Sequence, residues 1–316
     1  MTLRIATVSL NSAVDQTVTV PGFTADAVNR VAASRIDAGG KGVNVASFLA
    51  HVGHGVAVTG LLGAENAALF ARHFAATGLV DACQRLPGAT RTNVKIVDPL
   101  QDQVTDLNFP GIAAGPADLD AVAATLTELL AQGLDLVALC GSLPAGIGAE
   151  AYAELAALAR KGGARVALDT SGPALGLALA ARPDIVKPNV AELGAHLGRT
   201  LTGLESVREA ARDLAASGVG LVAVSMGAGG AVLVRGAEAV LAIPPATPIA
   251  STVGAGDAMV AGLIHAATLG LDLAETARLA TAFSLGALGE IGPHLPPPER
   301  LAALARTVTV KTLPPV

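Results

Sequence analysis

The chain has 316 residues, a formal charge of −5, 52% hydrophobic residues and two cysteines. That length accommodates one large domain with a substantial core, and an acidic balance without clustered Lys or Arg excludes nucleic-acid or membrane-surface binding driven by bulk charge. Cys83 and Cys140 alone make neither a disulfide framework nor a cysteine metal cluster, and a start that runs into a strand pattern without an apolar leader reads as an unexported, cytoplasmic protein.

In chain order, short apolar runs alternate with Ala/Leu-rich helical segments. Strands are expected at residues 5–10, 56–62, 136–139, 165–169, 185–187 and 221–225, and helices at 42–52, 65–77, 117–132, 149–161, 207–217, 258–269 and 273–288. The alternation predicts an α/β fold with a mainly parallel central sheet. Residues 214–234 lack charge over a bilayer's length, but Gly218, Gly220, Gly227, Gly229 and Gly230 cut them into two short buried strands around a turn. Residues 14–20 with 28–36, and 81–108, break the alternation, since 92–98 and 104–108 read as strands with no helix between them. They predict a small second sheet, from about 12–36 and 81–110, on a single 1–316 domain.

Two glycine-rich segments carry the functional signal. Gly254, Ala255, Gly256 and Asp257 stand where an apolar helix begins, after Ser251, Thr252 and Val253. Such a turn offers unpaired amides and a partial positive charge to an anion, with a carboxylate beside it to accept a proton. It also reads as a plain strand-to-helix turn whose Asp stabilises the helix start. The second segment, Gly39-Gly40-Lys41-Gly42-Val43-Asn44-Val45-Ala46, opens another helix, with Gly53 and Gly63 following. No Walker A loop is present, since Gly40-Lys41 is followed by Gly42, and no dinucleotide fingerprint, since neither Gly227-Ala228-Gly229 nor Gly254-Ala255-Gly256 is followed by its final glycine.

Together the two segments resemble the signatures of the ribokinase-like (PfkB) carbohydrate kinases: Gly39, Gly40, Gly42, Asn44, Ala46, Gly53 and Gly63 fit the first, and Gly254-Ala255-Gly256-Asp257 ends the second. The resemblance implies a three-layer sandwich, ATP and Mg²⁺ as cofactors, and a small sheet that acts as a lid over the sugar and often as a homodimer surface. It assigns Asp257 as base and the Gly254, Ala255 and Gly256 amides as the cradle of the transferring phosphoryl group. Asp15, Gly39, Gly40 and Asn44 would hold the sugar. Ser225, Gly227 and Gly230 resemble the loop around the ATP phosphates, and Lys187, Asn189 and Glu192 resemble an element whose Lys lies near the phosphates and whose Asn and Glu organise Mg²⁺ through water; Asn189 also reads as the cap of a helix carrying Glu192 in its first turn.

Residues 90–95 place Arg91, Asn93 and Lys95 on one strand face. Arg91 could grip a phosphate bidentately with Lys41 as a second point charge, or the face could be an edge strand carrying solubilising charges. Residues 90–95, 105–111, with Gly141, Ser142, Leu143 and Pro144, look like the phosphofructokinase branch, which puts Ser142 by the substrate phosphate. The expected reaction is ATP-dependent phosphorylation of fructose 1-phosphate at C6, with tagatose 6-phosphate or fructose 6-phosphate as alternative acceptors, and a non-catalytic sugar-phosphate sensor as the alternative of another class.

Overall fold

The computed structural model describes residues 3–246, 254–290 and 292–314. Among them the central sheet has ten strands. β1 (Leu3–Ser9) is flanked in parallel by β4 (Gly55–Gly63) and β8 (Leu136–Cys140). β5 (Val80–Leu86) adds to β4, and β9 (Arg165–Asp169), β10 (Ile185–Val186) and β11 (Leu221–Ser225) continue beyond β8, all parallel. The far edge is antiparallel, formed by β12 (Ala231–Arg235), β13 (Glu238–Ile243) and β14 (Thr309–Thr312). A separate sheet orders β3 (Ala33–Gly39), β2 (Ala13–Thr19), β6 (Thr92–Asp98) and β7 (Gln103–Leu107).

Helices cover both faces of the large sheet. α1 (Lys41–His51), α2 (Ala67–Thr77), α8 (Ala255–Thr268), α9 (Leu273–Leu288) and α10 (Pro298–Thr307) share one core. α3 (Pro116–Leu130), α4 (Ala151–Lys161), α5 (Gly172–Leu179), α6 (Val190–Leu197) and α7 (Gly203–Ala216) share the other. The strands read as unbroken apolar runs because they feed both: in β8, Leu136, Ala138 and Cys140 enter the first core, while Val137 and Leu139 enter the second. No helix among the described residues is long and apolar enough to cross a membrane. The uncharged stretch at 214–234 resolves into the end of α7 and the β11–β12 antiparallel pair.

Two expectations are corrected. Residues 81–86 do not belong to the small sheet: Val80–Leu86 pairs in parallel with β4, from Ala57↔Val80 to Gly63↔Leu86. As an edge strand it carries an Asp81–Arg85 ion pair, and those charges hide its place in a sheet of otherwise apolar strands. The small sheet therefore takes up the chain again only at Thr92, and its second strand starts at Ala33 rather than 28 and runs on to Gly39. The short helices α5 and α6, with α10, β13 and β14, had no sequence expectation. Ser251, Thr252 and Val253 lie outside the described residues.

The chain crosses between the sheets at one end of the large one. β2 follows β1 after three residues, and β3 reaches α1 through Gly40 alone. The small sheet is thereby fixed over the carboxyl ends of the parallel strands, where open α/β sheets bind ligands.

Candidate active site

Gly254 caps α8 with φ +73°, and the first intrahelical bond runs from the Ala258 N–H to the Gly254 carbonyl at 2.7 Å. The amides of Ala255, Gly256 and Asp257 thus precede the helical ladder, at its positive end. Asp257 is buried, and its Oδ2 accepts the Asn44 side-chain amide at 2.8 Å. Burial pushes its carboxyl pKa up, opposed by the nearby Lys41 charge. A Cβ on Gly256 would meet the Lys187 Nζ at 3.7 Å, so the lysine nitrogen lies beside this turn.

The β3–α1 junction packs closely against the β1–β2 connection and the start of β2, which excludes a side chain at Gly40 and leaves room for one at Gly39 only if Asp15 moves. A Cβ on Gly39 would stand 2.1 Å from Asp15 Oδ2, and one on Gly40, where φ is +97°, 2.8 Å from Ser12 Cα. Burial, then repulsion by Asp257, pushes the Asp15 carboxyl up to about 6, against the pull of Lys95 and Arg91.

A cavity of about 440 Å³ lies between the two sheets. Gly40, Lys41, Asn44, Ser142, Glu192, Gly254 and Asp257 line its large-sheet side, and Asp15, Arg91 and Asn93 line its small-sheet side. The alternation that put Arg91, Asn93 and Lys95 on one face therefore aims them inward. Sequence reasoning gave no role to other lining residues: Asn11, Thr17, Lys95, Asp106 and Asn108. Asn11 Oδ1, Ser12 Oγ and Asn44 Oδ1 are buried with no hydrogen-bond partner among the described residues, which suits a ligand rich in hydroxyls.

The structure alters the expectation for two cations. Lys41 is not free for a substituent: its Nζ lies 3.2 Å from Asp169 Oδ2, and Lys187 lies 3.4 Å from Asp169 Oδ1. Asp169, fully buried at the end of β9, is held below the usual carboxylate range by these two lysines, which outweigh its burial. The facing carboxylates of Asp169, Asp257 and Glu192 raise the Lys41 pKa despite burial. Only the position of Asp169 at the carboxyl end of an apolar parallel strand could have singled it out. Arg91 is not a free fork either: Nη1 donates to Phe109 O at 2.9 Å, Nη2 to Asn11 O at 3.0 Å and Nε to Ser12 O at 3.4 Å. Each terminal nitrogen keeps a second N–H.

Asn189 caps α6 in a reciprocal box, its Oδ1 accepting the Glu192 N–H and Glu192 Oε2 accepting the Asn189 N–H, both at 2.8 Å. Ser225 lies alongside Asn189 in a short parallel bridge. Gly227 starts a turn of 3₁₀ helix on the surface, and Gly230, with φ +88°, sits where a Cβ would strike the Ala242 carbonyl at 1.9 Å. Lys187, Asn189, Ser225, Gly227 and Gly230 lie outside the cavity lining. Among the described residues no group of three or more His, Cys, Asp or Glu is arranged to hold a metal. The Glu192 carboxylate, which does line the cavity, fits a Mg²⁺ that keeps most of its waters and binds mainly through phosphates.

The profile of pfkB family carbohydrate kinases matches residues 5–300. A 1-phosphofructokinase from Xanthomonas campestris pv. campestris is 45% identical, the alignment covering 99% of this chain and 100% of that protein. A 1-phosphofructokinase from Escherichia coli K12 is 36% identical over 98% of this chain and 99% of its own. Among solved structures, phosphofructokinase-2 from Escherichia coli in complex with substrates and products superposes with a TM-score of 0.88 at 29% identity, over 96% of this chain and 98% of that one. A possible 1-phosphofructokinase from Thermotoga maritima gives 0.89 at 25% identity, over 98% and 100%.

Proposed function

The chain belongs to the pfkB family of carbohydrate kinases, and from that premise we propose that it transfers the γ-phosphoryl group of ATP to the C6 hydroxyl of fructose 1-phosphate, giving fructose 1,6-bisphosphate and ADP. The observation that carries the mechanism is the buried Asp257, held by Asn44 at the amino end of α8, on the wall of a cavity that also presents Asp15, Arg91 and Lys95. Asp257 takes the proton of the attacking hydroxyl, while the Ala255 and Gly256 amides face the charge that develops on the transferred group. Gly39 brings the backbone against Asp15, which accepts sugar hydroxyls, Gly40 brings it against Ser12, and Asn44 adds a second polar contact. Arg91, through its remaining N–H groups, and Ser142, whose hydroxyl accepts from Asn11 Nδ2 at 3.1 Å, hold the acceptor's phosphate end.

On the nucleotide side, Ser225, Gly227 and Gly230 form the loop against which the ATP phosphates lie, and Lys187 neutralises them from below Gly256. Glu192 supplies the carboxylate for Mg²⁺, oriented by Asn189 through the capping box. Bound Mg²⁺ neutralises phosphate charge. The small sheet closes over the sugar to exclude water as a competing acceptor. Its outer row, with Ile36 and Leu107 exposed on opposite edge strands, is the surface we assign to a homodimer. We place the enzyme in the cytoplasm, with its substrates.

ADP release with MgATP and fructose 1-phosphate, fructose 6-phosphate, tagatose 6-phosphate or fructose tests the reading, with Asp257→Asn as blank. A kcat/KM at least tenfold higher for fructose 1-phosphate, about 1.4 kcal/mol of discrimination, is expected. Fructose 6-phosphate is the competing acceptor to watch, because one solved relative of high structural similarity is phosphofructokinase-2 from Escherichia coli in complex with fructose-6-phosphate. Ultracentrifugation tests the dimer, and equal ATP hydrolysis with and without sugar would count against closure.

A further inference from the structure

Among the described residues three cations line the cavity, and they differ in what holds them. Lys41 is committed to the fully buried Asp169, beside Asp257 and so at the reacting end. Arg91 is tied to three backbone carbonyls. Lys95 has a looser partner: its ammonium is ion-paired with Asp106, the residue directly opposite it on β7, and the Lys95 side chain is 15% exposed against 51% for Asp106. A half-exposed carboxylate is a weak partner. A phosphate dianion, with three acceptor oxygens, is a stronger one once water is excluded.

The surroundings of Lys95 suit such an exchange. Thr17 is its register partner on β2, and Asn108 follows Asp106 on the same inward face; both line the cavity. The charge of Lys95 acts on Asp15, so it bears on the acceptor rather than on outer solvent. A sugar phosphate whose reacting hydroxyl lies at Asp257 extends its own phosphate away from that end, towards the small sheet.

We propose that Lys95 is a specificity-determining residue for the acceptor: its ammonium exchanges Asp106 for the phosphate of the sugar phosphate, with Thr17 and Asn108 beside it. The inference rests on the sugar-phosphate reading above. It makes Asp106 a resident competitor, and it explains how a cavity lined with carboxylates can favour a phosphorylated sugar over a neutral one.

The test compares Lys95→Met, Lys95→Arg and Asp106→Asn with the wild type, using fructose 1-phosphate and unphosphorylated fructose as acceptors at saturating MgATP. Lys95→Met should raise KM for fructose 1-phosphate at least 20-fold with kcat within threefold, and leave KM for fructose within threefold. Lys95→Arg should restore KM to within fivefold of wild type, and Asp106→Asn should lower it. The assignment is overturned if Lys95→Met affects both acceptors alike or neither, or if Asp106→Asn raises KM as Lys95→Met does. Should Lys95→Met not fold, Lys95→Gln carries the same expectation. If the wild type phosphorylates neither acceptor, the functional reading fails, and Lys95 is judged on binding alone. Fructose 1-phosphate must then raise the wild-type melting temperature more than fructose does, and Lys95→Met must lose that margin; equal shifts, or none, overturn the assignment.

Discussion

The side-chain amide of Asn44 donates to Asp257 Oδ2 at 2.8 Å, joining the first turns of α1 and α8 across 213 positions of sequence. The bond orients a carboxylate that burial would otherwise leave protonated to higher pH, and it explains why a polar residue stands among the apolar ones that α1 buries. Asp257→Asn keeps the shape and removes the proposed base. Turnover should fall by about 10²–10⁴ with substrate binding retained, measured as ADP release and as a substrate-induced melting shift.

Proton uptake by Asp257, beside that of Asp15, should contribute to the acid limb of the rate. Its pKa is raised by burial, so kcat/KM for the sugar should decline with falling pH while still above the ordinary carboxylate range. A pH profile that stays flat down to about 4, the ordinary carboxylate range, would remove Asp257 from this role.

Asp15 makes a prediction about stability. Its carboxyl titrates at about 6 in the folded chain against 3.8 ordinarily, so between those values the folded state holds a proton that the unfolded state has released. Stability therefore falls as pH rises through that window, by about 2–3 kcal/mol at full ionisation. Asp15→Asn should melt higher than wild type at pH 8, the gap closing below pH 4, and should lose kcat/KM for the sugar. Melting curves across pH and one kinetic assay check both halves.

Gly39→Ala tests the closeness of the sugar-side backbone. The added methyl would fall 2.1 Å from Asp15 Oδ2 and 2.6 Å from its Cγ, which must rotate away, and 3.3 Å from its Cβ, which calls for a small shift of β2. The expected result is an acceptor KM raised on the order of tenfold, a loss of about 1.4 kcal/mol, with a melting temperature changed little. A large melting shift with unchanged KM would mean that Asp15 does not contact the sugar.

Glu192→Gln separates capping from metal binding. Glutamine can still accept the Asn189 N–H, so helix stability should drop by less than about 1 kcal/mol. Loss of the carboxylate should raise the Mg²⁺ concentration needed for half-maximal activity on the order of tenfold. Titration of Mg²⁺ at fixed ATP measures it.

Much of the fold was legible because parallel strands covered on both faces announce themselves as apolar runs, as 136–140 and 221–225 do. The edge strand Val80–Leu86 escaped because its charges belong to a surface, and α5 and α6 because eight residues give little periodicity. At the site, the glycine turns could be read because close backbone packing demands that residue type. Asp169 could not, since a lone carboxylate acquires meaning only when folding sets two lysines around it. The same holds for Lys95 and Asp106, whose pairing depends on the β6–β7 register.

A single residue, Gly40, separates β3 from α1. The joint is as short as a strand-to-helix link can be. A tilt of the small sheet of the kind proposed over a bound sugar would act on the first turn of α1, and through the Asn44 bond on the Asp257 carboxylate of α8. Under the proposed closure, the acceptor's arrival and the orientation of the proposed base would be one event, a means of sparing ATP when there is no sugar to receive its phosphate.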